Sequence, residues 1–206
     1  MLRMAVLLSG SGSTLENFFE KIASGEIDAE VVAVVSSRAD AFGLERAKRR
    51  GVPAYVVPRR RHGTLASFTD AVFEPVRRHG AGLVALAGFM VKIGIPEDFR
   101  GRILNVHPAL IPAFCGEGMY GHLVHEAVLE HGVRLTGCTV HFVDEHYDHG
   151  PIVVQRAVEV LDDDTPETLA ARVQAAERAA YVEAIRLFAA GRLRIEGRRV
   201  RVLAGG

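Results

Sequence analysis

Two polar side chains close an otherwise apolar run at Ile103-Leu104-Asn105-Val106-His107-Pro108, and their types and spacing suit carbonyl chemistry. Side chains alternate along a strand, so Asn105 and His107 project to one side while Val106 points to the other. Pro108 favours extended geometry at His107 and removes a backbone donor, so the strand is expected to end there with both polar groups at its carboxyl edge. That edge is where open α/β sheets bind ligands. An amide and an imidazole aimed at one point can stabilise the oxyanion that develops on a carbonyl under attack. A hydrogen-bonded strand terminus would use the same residues without chemistry.

A second constellation, His141-Phe142-Val143-Asp144-Glu145-His146-Tyr147-Asp148-His149-Gly150-Pro151, gathers histidines and carboxylates in a short stretch. Together with His122 and His125 it could hold a metal ion, although no ligand pair has a recognised zinc spacing. Asp148 alone, placed by the Gly150-Pro151 turn, has a simpler use. A carboxylate beside His107 favours imidazolium, so the expectation is a raised His107 pKa and a charged donor or general acid near neutrality. A third stretch, Gly10-Ser11-Gly12-Ser13-Thr14, lacks the Lys of a P-loop and does not complete the dinucleotide glycine pattern. What it offers is backbone N–H groups at a helix amino terminus and two hydroxyls, which suits one phosphate monoester. An ordinary turn with Ser13 or Thr14 capping the helix reads equally well.

Positioning these groups falls to alternating strands and helices. Strands are predicted at Met4–Ser9, Val31–Ser36, Ala54–Val57, Gly82–Ala87 and Arg102–Val106, with helices at Leu15–Ala23, Ala41–Arg50 and Thr64–His79. Their continuous apolar strands predict a doubly wound, mostly parallel α/β sheet. Beyond residue 132 the rhythm changes to two strands, Cys138–Val143 and Ile152–Val160, a long helix over Thr165–Ala189, and a terminal hairpin over Ile195–Leu203 broken by Gly197, so an antiparallel carboxyl-terminal portion is expected.

With 206 residues, the chain is expected to form one domain, 1–206. Its 25 Lys and Arg balance 25 Asp and Glu, so charge makes no case for a nucleic-acid or membrane partner, and the Arg59-Arg60-Arg61 run reads as a solvated loop. Cys115 and Cys138 make no disulfide framework and no signal peptide is evident, which points to the cytoplasm.

The Asn105-Val106-His107-Pro108 run with Leu110 and Pro112, the Met90 loop after Ala87-Gly88-Phe89, and the Asp148-x-Gly150-Pro151 turn resemble the folate-dependent formyltransferase family over about residues 4–190. Within it, the Gly-Ser-Gly-Ser-Thr loop and the short chain resemble the members that act on glycinamide ribonucleotide. The resemblance implies a formyltransferase-like α/β fold and transfer of the formyl group of 10-formyltetrahydrofolate to the amine of that ribonucleotide, by direct attack through a tetrahedral intermediate and without a metal. It implies Asn105, His107 and Asp148 as the catalytic trio, with Gly12, Ser13 and Thr14 on the substrate phosphate. Glu177 falls at the ribose position and Gln174 lies one turn before it, although a solvated helix face fits those two without the resemblance. Met90, Val91, Lys92 and Ile93, together with Asn105, Asp144, Glu145, His146, Tyr147 and Asp148, fall on the folate site. The protein is expected as a monomer or homodimer.

Leu65 and Val91 stand where many members carry arginines, Cys115 where a proline is frequent, and His149 where a smaller residue is usual. Arg59–Arg61 or Lys92 would then supply positive charge for the folate tail. Deformylases and methionyl-tRNA formyltransferases resemble the same catalytic domain but carry additional domains, which the chain is not expected to have. A non-catalytic phosphate-binding module would leave Asn105, His107 and Asp148 without a use.

Overall fold

The computed structural model describes residues 1–205. They fall into two compact units that divide after Leu104. The first runs β1 (Leu2–Leu8), α1 (Ser13–Ala23), β2 (Ala29–Ser36), α2 (Phe42–Arg49), β3 (Ala54–Val56), α3 (Leu65–Arg78) and β4 (Leu83–Leu86). Its strands lie in the order β3-β2-β1-β4, every neighbouring pair parallel. From Met4 to Leu8 and Val31 to Ser36 every residue is buried, so the continuous apolar runs reflect strands covered on both faces. Helix α1 buries Leu15, Phe18 and Phe19, the spacing of one helical face. In α3 the Thr64 hydroxyl accepts from the Ser67 N–H at 3.1 Å, and Phe68, Val72, Phe73 and Val76 form the buried stripe.

Strand β5 (Ile103–His107) leaves the first unit and delivers Asn105 and His107 to the second. There follow α4 (His122–Glu130), β6 (Leu135–Phe142), β7 (Ile152–Glu159), α5 (Pro166–Ala189), β8 (Leu193–Glu196) and β9 (Arg199–Val202). The order is β5-β6-β7-β9-β8, with β6 and β7 antiparallel, β7 and β9 parallel, and β8 and β9 antiparallel. The fold is thus the expected α/β class, parallel in its first part with an antiparallel carboxyl-terminal portion. Helix α5 opens on a capping box in which Thr165 and Thr168 satisfy each other's backbone N–H, and Pro166 sits in its first turn.

Helix α4 was not foreseen from the sequence. Its N-cap is Gly121 with φ 53°, and no side chain caps it, so the polar start signal is missing. Its buried face mixes Val124 and Val128 with His125, which blurs the apolar period. No helix among the described residues is long and apolar enough to cross a membrane.

Candidate active site

Strand alternation places Asn105 and His107 on one side, and both meet Asp148. His107 Nδ1 lies 3.3 Å from Asp148 Oδ2, with the two side chains 3% and 11% exposed. Asn105 Nδ2 lies 3.5 Å from Asp148 Oδ1 and 3.3 Å from His141 Nε2. His141 Nδ1 donates to the Phe142 carbonyl at 2.8 Å, and Nε2 faces both the Asn105 amide and Asp148 Oδ1, the latter at 3.7 Å. Two main-chain groups complete the cluster. The Gly116 N–H donates to Asp148 Oδ2 at 3.0 Å, and His107 Nε2 lies 2.8 Å from the Phe114 carbonyl oxygen, to which it can only donate.

Asp148 itself sits at φ 50°, a left-handed conformation uncommon outside glycine and characteristic of positions held by their surroundings. Part of that hold is Gly150, where a Cβ would stand 1.8 Å from the Phe142 carbonyl oxygen. The Phe142 N–H also bonds Pro151 O at 2.9 Å. Only glycine lets the turn close this tightly, so the Gly150-Pro151 pair does place the carboxylate.

The electrostatics overturn one expectation. Burial desolvates His107 and pulls its pKa below the ordinary value, outweighing the nearby Asp148 charge and the Phe114 carbonyl, while His141 adds to the decrease. The expected rise assumed that charge pairing would dominate; at 3% exposure desolvation dominates instead. For Asp148, burial acts to raise the pKa, but His141, the His107 charge and the Gly116 N–H together overcome it and hold the carboxyl below its usual range. Asp148 is therefore ionised at neutral pH.

The donors also differ from a simple oxyanion pair. Asn105 Nδ2 and His107 Nε2 are already turned to protein acceptors, because buried donors left unpaired are costly. The amide contacts, at 3.3 and 3.5 Å, are long, so an arriving oxyanion would compete for them effectively.

In the first unit, Gly12 is the N-cap of α1 at φ 71°, and no side chain caps the helix. Ser13 and Thr14 lie within its first turn, so the reading in which one of them caps the helix does not hold. Arg46 donates to the Ser11 carbonyl at 3.0 Å and to Glu16 at 2.9 Å, bracing the loop. Gly12 packs so closely that a Cβ would stand 2.6 Å from the Gly43 α carbon, so a side chain there would disturb the fold as well as any ligand. The Ser9 hydroxyl accepts from the Met90 N–H at 2.9 Å and tethers the start of the Met90–Ile93 segment. That segment is irregular, with Met90 and Lys92 exposed and Val91 and Ile93 half-buried, while Leu65 opens α3.

On α5, Gln174 is exposed and Glu177 half-buried. Desolvation pushes the Glu177 carboxyl up to about 7, with Arg178 opposing, and Glu177 in turn helps burial drive the Cys138 thiol to about 12. Asp144 accepts the His146 N–H at 2.9 Å and the His149 ring at 2.6 Å, while Glu145, His146 and Tyr147 are exposed on the same loop. No cluster of three or more His, Cys, Asp or Glu among the described residues is arranged to hold a metal ion.

Sequence reasoning missed the role of His141, seen only as one of several loop histidines, and the main-chain contributions of Phe114 and Gly116. A signal existed for His141, since it stands between Val140 and Phe142 in the strand predicted at Cys138–Val143, where a histidine needs partners.

A family model described as formyl transferase matches residues 2–185. The chain is 41% identical over 186 residues to the chloroplastic phosphoribosylglycinamide formyltransferase of Arabidopsis thaliana, covering 89% of this chain but only 64% of that longer protein. It is 37% identical to the phosphoribosylglycinamide formyltransferase of Haemophilus influenzae, over 95% of this chain and 91% of that one. The solved glycinamide ribonucleotide transformylase 1 of Symbiobacterium toebii superposes with a TM-score of 0.93 at 47% identity, covering 99% and 95% of the two chains.

Proposed function

Because the chain belongs to the formyl transferase family, we propose that it transfers the formyl group of 10-formyltetrahydrofolate to the amine of glycinamide ribonucleotide, a step of de novo purine biosynthesis. The observation that carries this reading is the cluster of Asn105, His107, His141 and Asp148, in which two side-chain donors and one ionised carboxylate meet at the end of strand β5.

In the proposed reaction the amine nitrogen bonds to the formyl carbon and the carbonyl electron pair moves onto oxygen. Asn105 and His107 exchange their protein acceptors for that oxyanion, and each such donor is worth about 10²–10³ in rate. Negative charge beside His107 counteracts its desolvation and favours a ring protonated from solvent, which keeps that proton as a donor through the step and neither gains nor loses it in the transfer. On collapse, the bond to the folate nitrogen breaks, and the proton lost by the amine ends on that nitrogen. Asp148, ionised and anchored by Gly116, is the group suited to hold that proton in transit. These steps need no covalent enzyme intermediate and no metal.

The open amino terminus of α1 at Gly12, Ser13 and Thr14 suits the ribonucleotide phosphate. Glu177 and Gln174, one turn apart on α5, are assigned to the ribose. Main-chain groups of Met90–Ile93 and of Asp144–Asp148, with Asn105, are assigned to the pteridine, and Arg59–Arg61 or Lys92 to the folate tail. Two free thiols fit a reducing compartment such as the cytoplasm. The deciding experiment is an absorbance assay for tetrahydrofolate release with the ribonucleotide present or omitted. Release that depends on the amine supports transfer, whereas equal release without it shows a hydrolase.

A further inference from the structure

His149 and Arg198 lie 49 residues apart and join the β6–β7 loop to the turn of the terminal hairpin. Arg198 Nη1 lies 2.7 Å from His149 Nε2 and 3.2 Å from Nδ1, which sets the guanidinium over the face of the imidazole, and Arg198 Nη2 donates to the His149 carbonyl at 2.8 Å. The Asp144 carboxylate beside the ring is held ionised and can only accept, so the ring proton facing it sits on Nδ1. That proton is donated to Asp144 Oδ2 at 2.6 Å. The other oxygen of the same carboxylate receives the His146 N–H at 2.9 Å. Burial acts to raise the Asp144 pKa, but these contacts outweigh it and hold the carboxyl low.

The consequence lies in what this chain encloses. Asp144 binds the loop at residue 146 and again at residue 149, on either side of the left-handed Asp148. Arg198 grips both the ring and the carbonyl of the residue that follows Asp148. Aspartate enters the left-handed region more readily than most residues, yet at φ 50° the orientation of its carboxylate still depends on what holds the turn. Gly150 supplies that constraint from the buried side, and Asp144, His149 and Arg198 supply it from the exposed side.

We propose that His149 and Arg198 are positioning residues: relayed through Asp144, they hold the 144–149 segment closed around Asp148 and so set the orientation of the reacting carboxylate. The proposal depends on the formyl-transfer reading only for the reaction assayed. Its first readout needs no substrate.

Arg198 is exposed on a hairpin turn, so Arg198→Ala is expected to fold with a Tm close to that of the parent. In Arg198→Ala, deuterium exchange at the His146 amide should rise several-fold, and Arg198→Lys should restore part of the protection, because an ammonium makes one of the two contacts but not the fork. Turnover of Arg198→Ala should fall about 3- to 10-fold while the KM for the ribonucleotide stays within twofold, since a misplaced reacting group costs rate rather than phosphate binding. In an Asp148→Asn background, Arg198→Ala should lower kcat no further. Unchanged exchange at His146, or a kcat loss that repeats in full in the Asp148→Asn background, overturns the proposal. Faster exchange in a protein whose parent shows no amine-dependent transfer upholds the positioning role and refutes the formyl-transfer reading instead.

Discussion

Replacing Glu177 by Gln converts a carboxyl that burial pushes up to about 7 into a permanently neutral side chain of the same shape. A group whose folded pKa is raised contributes stability that is fully present below its unfolded value and is lost as pH rises through the folded one. For Glu177 that window runs from the ordinary value of 4.5 to about 7. At about 1.4 kcal/mol per pH unit, the rise corresponds to a ceiling of about 3 kcal/mol. Glu177 keeps some solvent exposure, so water takes up part of the burden and an effect of roughly 1–2 kcal/mol is expected. Urea unfolding at pH 4 and pH 8.5 measures it. At pH 4 the Gln variant should match the parent within about 0.5 kcal/mol, and at pH 8.5 it should be the more stable by roughly 1–2 kcal/mol. The lowered pKa values of His107 and His125 produce the opposite slope, stability lost as pH falls below about 6.5, but they are common to both proteins and cancel in the difference. A stability difference that is the same at both pH values would refute the burial argument. The stabilised variant should also bind the ribonucleotide more weakly, because the amide cannot accept at both of its ends.

Asp148→Asn should lower kcat by about 10²–10³ with little change in the KM for the ribonucleotide, and combining it with His107→Ala should add much less than the product of the two losses, because the side chains act on each other; log-rate losses that simply sum would refute the paired site. Ser13→Ala and Thr14→Val should raise the KM for the ribonucleotide several-fold at unchanged Tm, whereas Gly12→Val should lose stability by 2 kcal/mol or more, on the order expected for overpacking at a positive-φ glycine. Kinetics paired with thermal melts separate these outcomes. Exhaustive chelation should leave the rate unchanged; activity lost with zinc and restored by its return would contradict the imidazole and carboxylate mechanism.

Local rules made much of this protein legible in its sequence. The period of two in β5 put Asn105 and His107 on one side, and the structure joins both to Asp148. The period of 3.6 in α1 and α3 identified their buried faces, and glycine at 150 marked a turn that leaves no room for a side chain. These features depend on neighbours within a few residues, so pattern alone reaches them. What only the tertiary structure decided depends on which distant groups share a low-dielectric space. The proton affinity of His107 follows from the competition between desolvation and Asp148, 41 positions away, and its sign could not be read from the spacing. Phe114 and Gly116 enter the site through main-chain atoms, which carry no residue-type signature. Glu177 looks like a solvated helix residue until packing brings it near Cys138. Arg198 reaches His149 because a terminal hairpin folds back on a loop from the middle of the chain, a contact set by topology rather than by either local sequence.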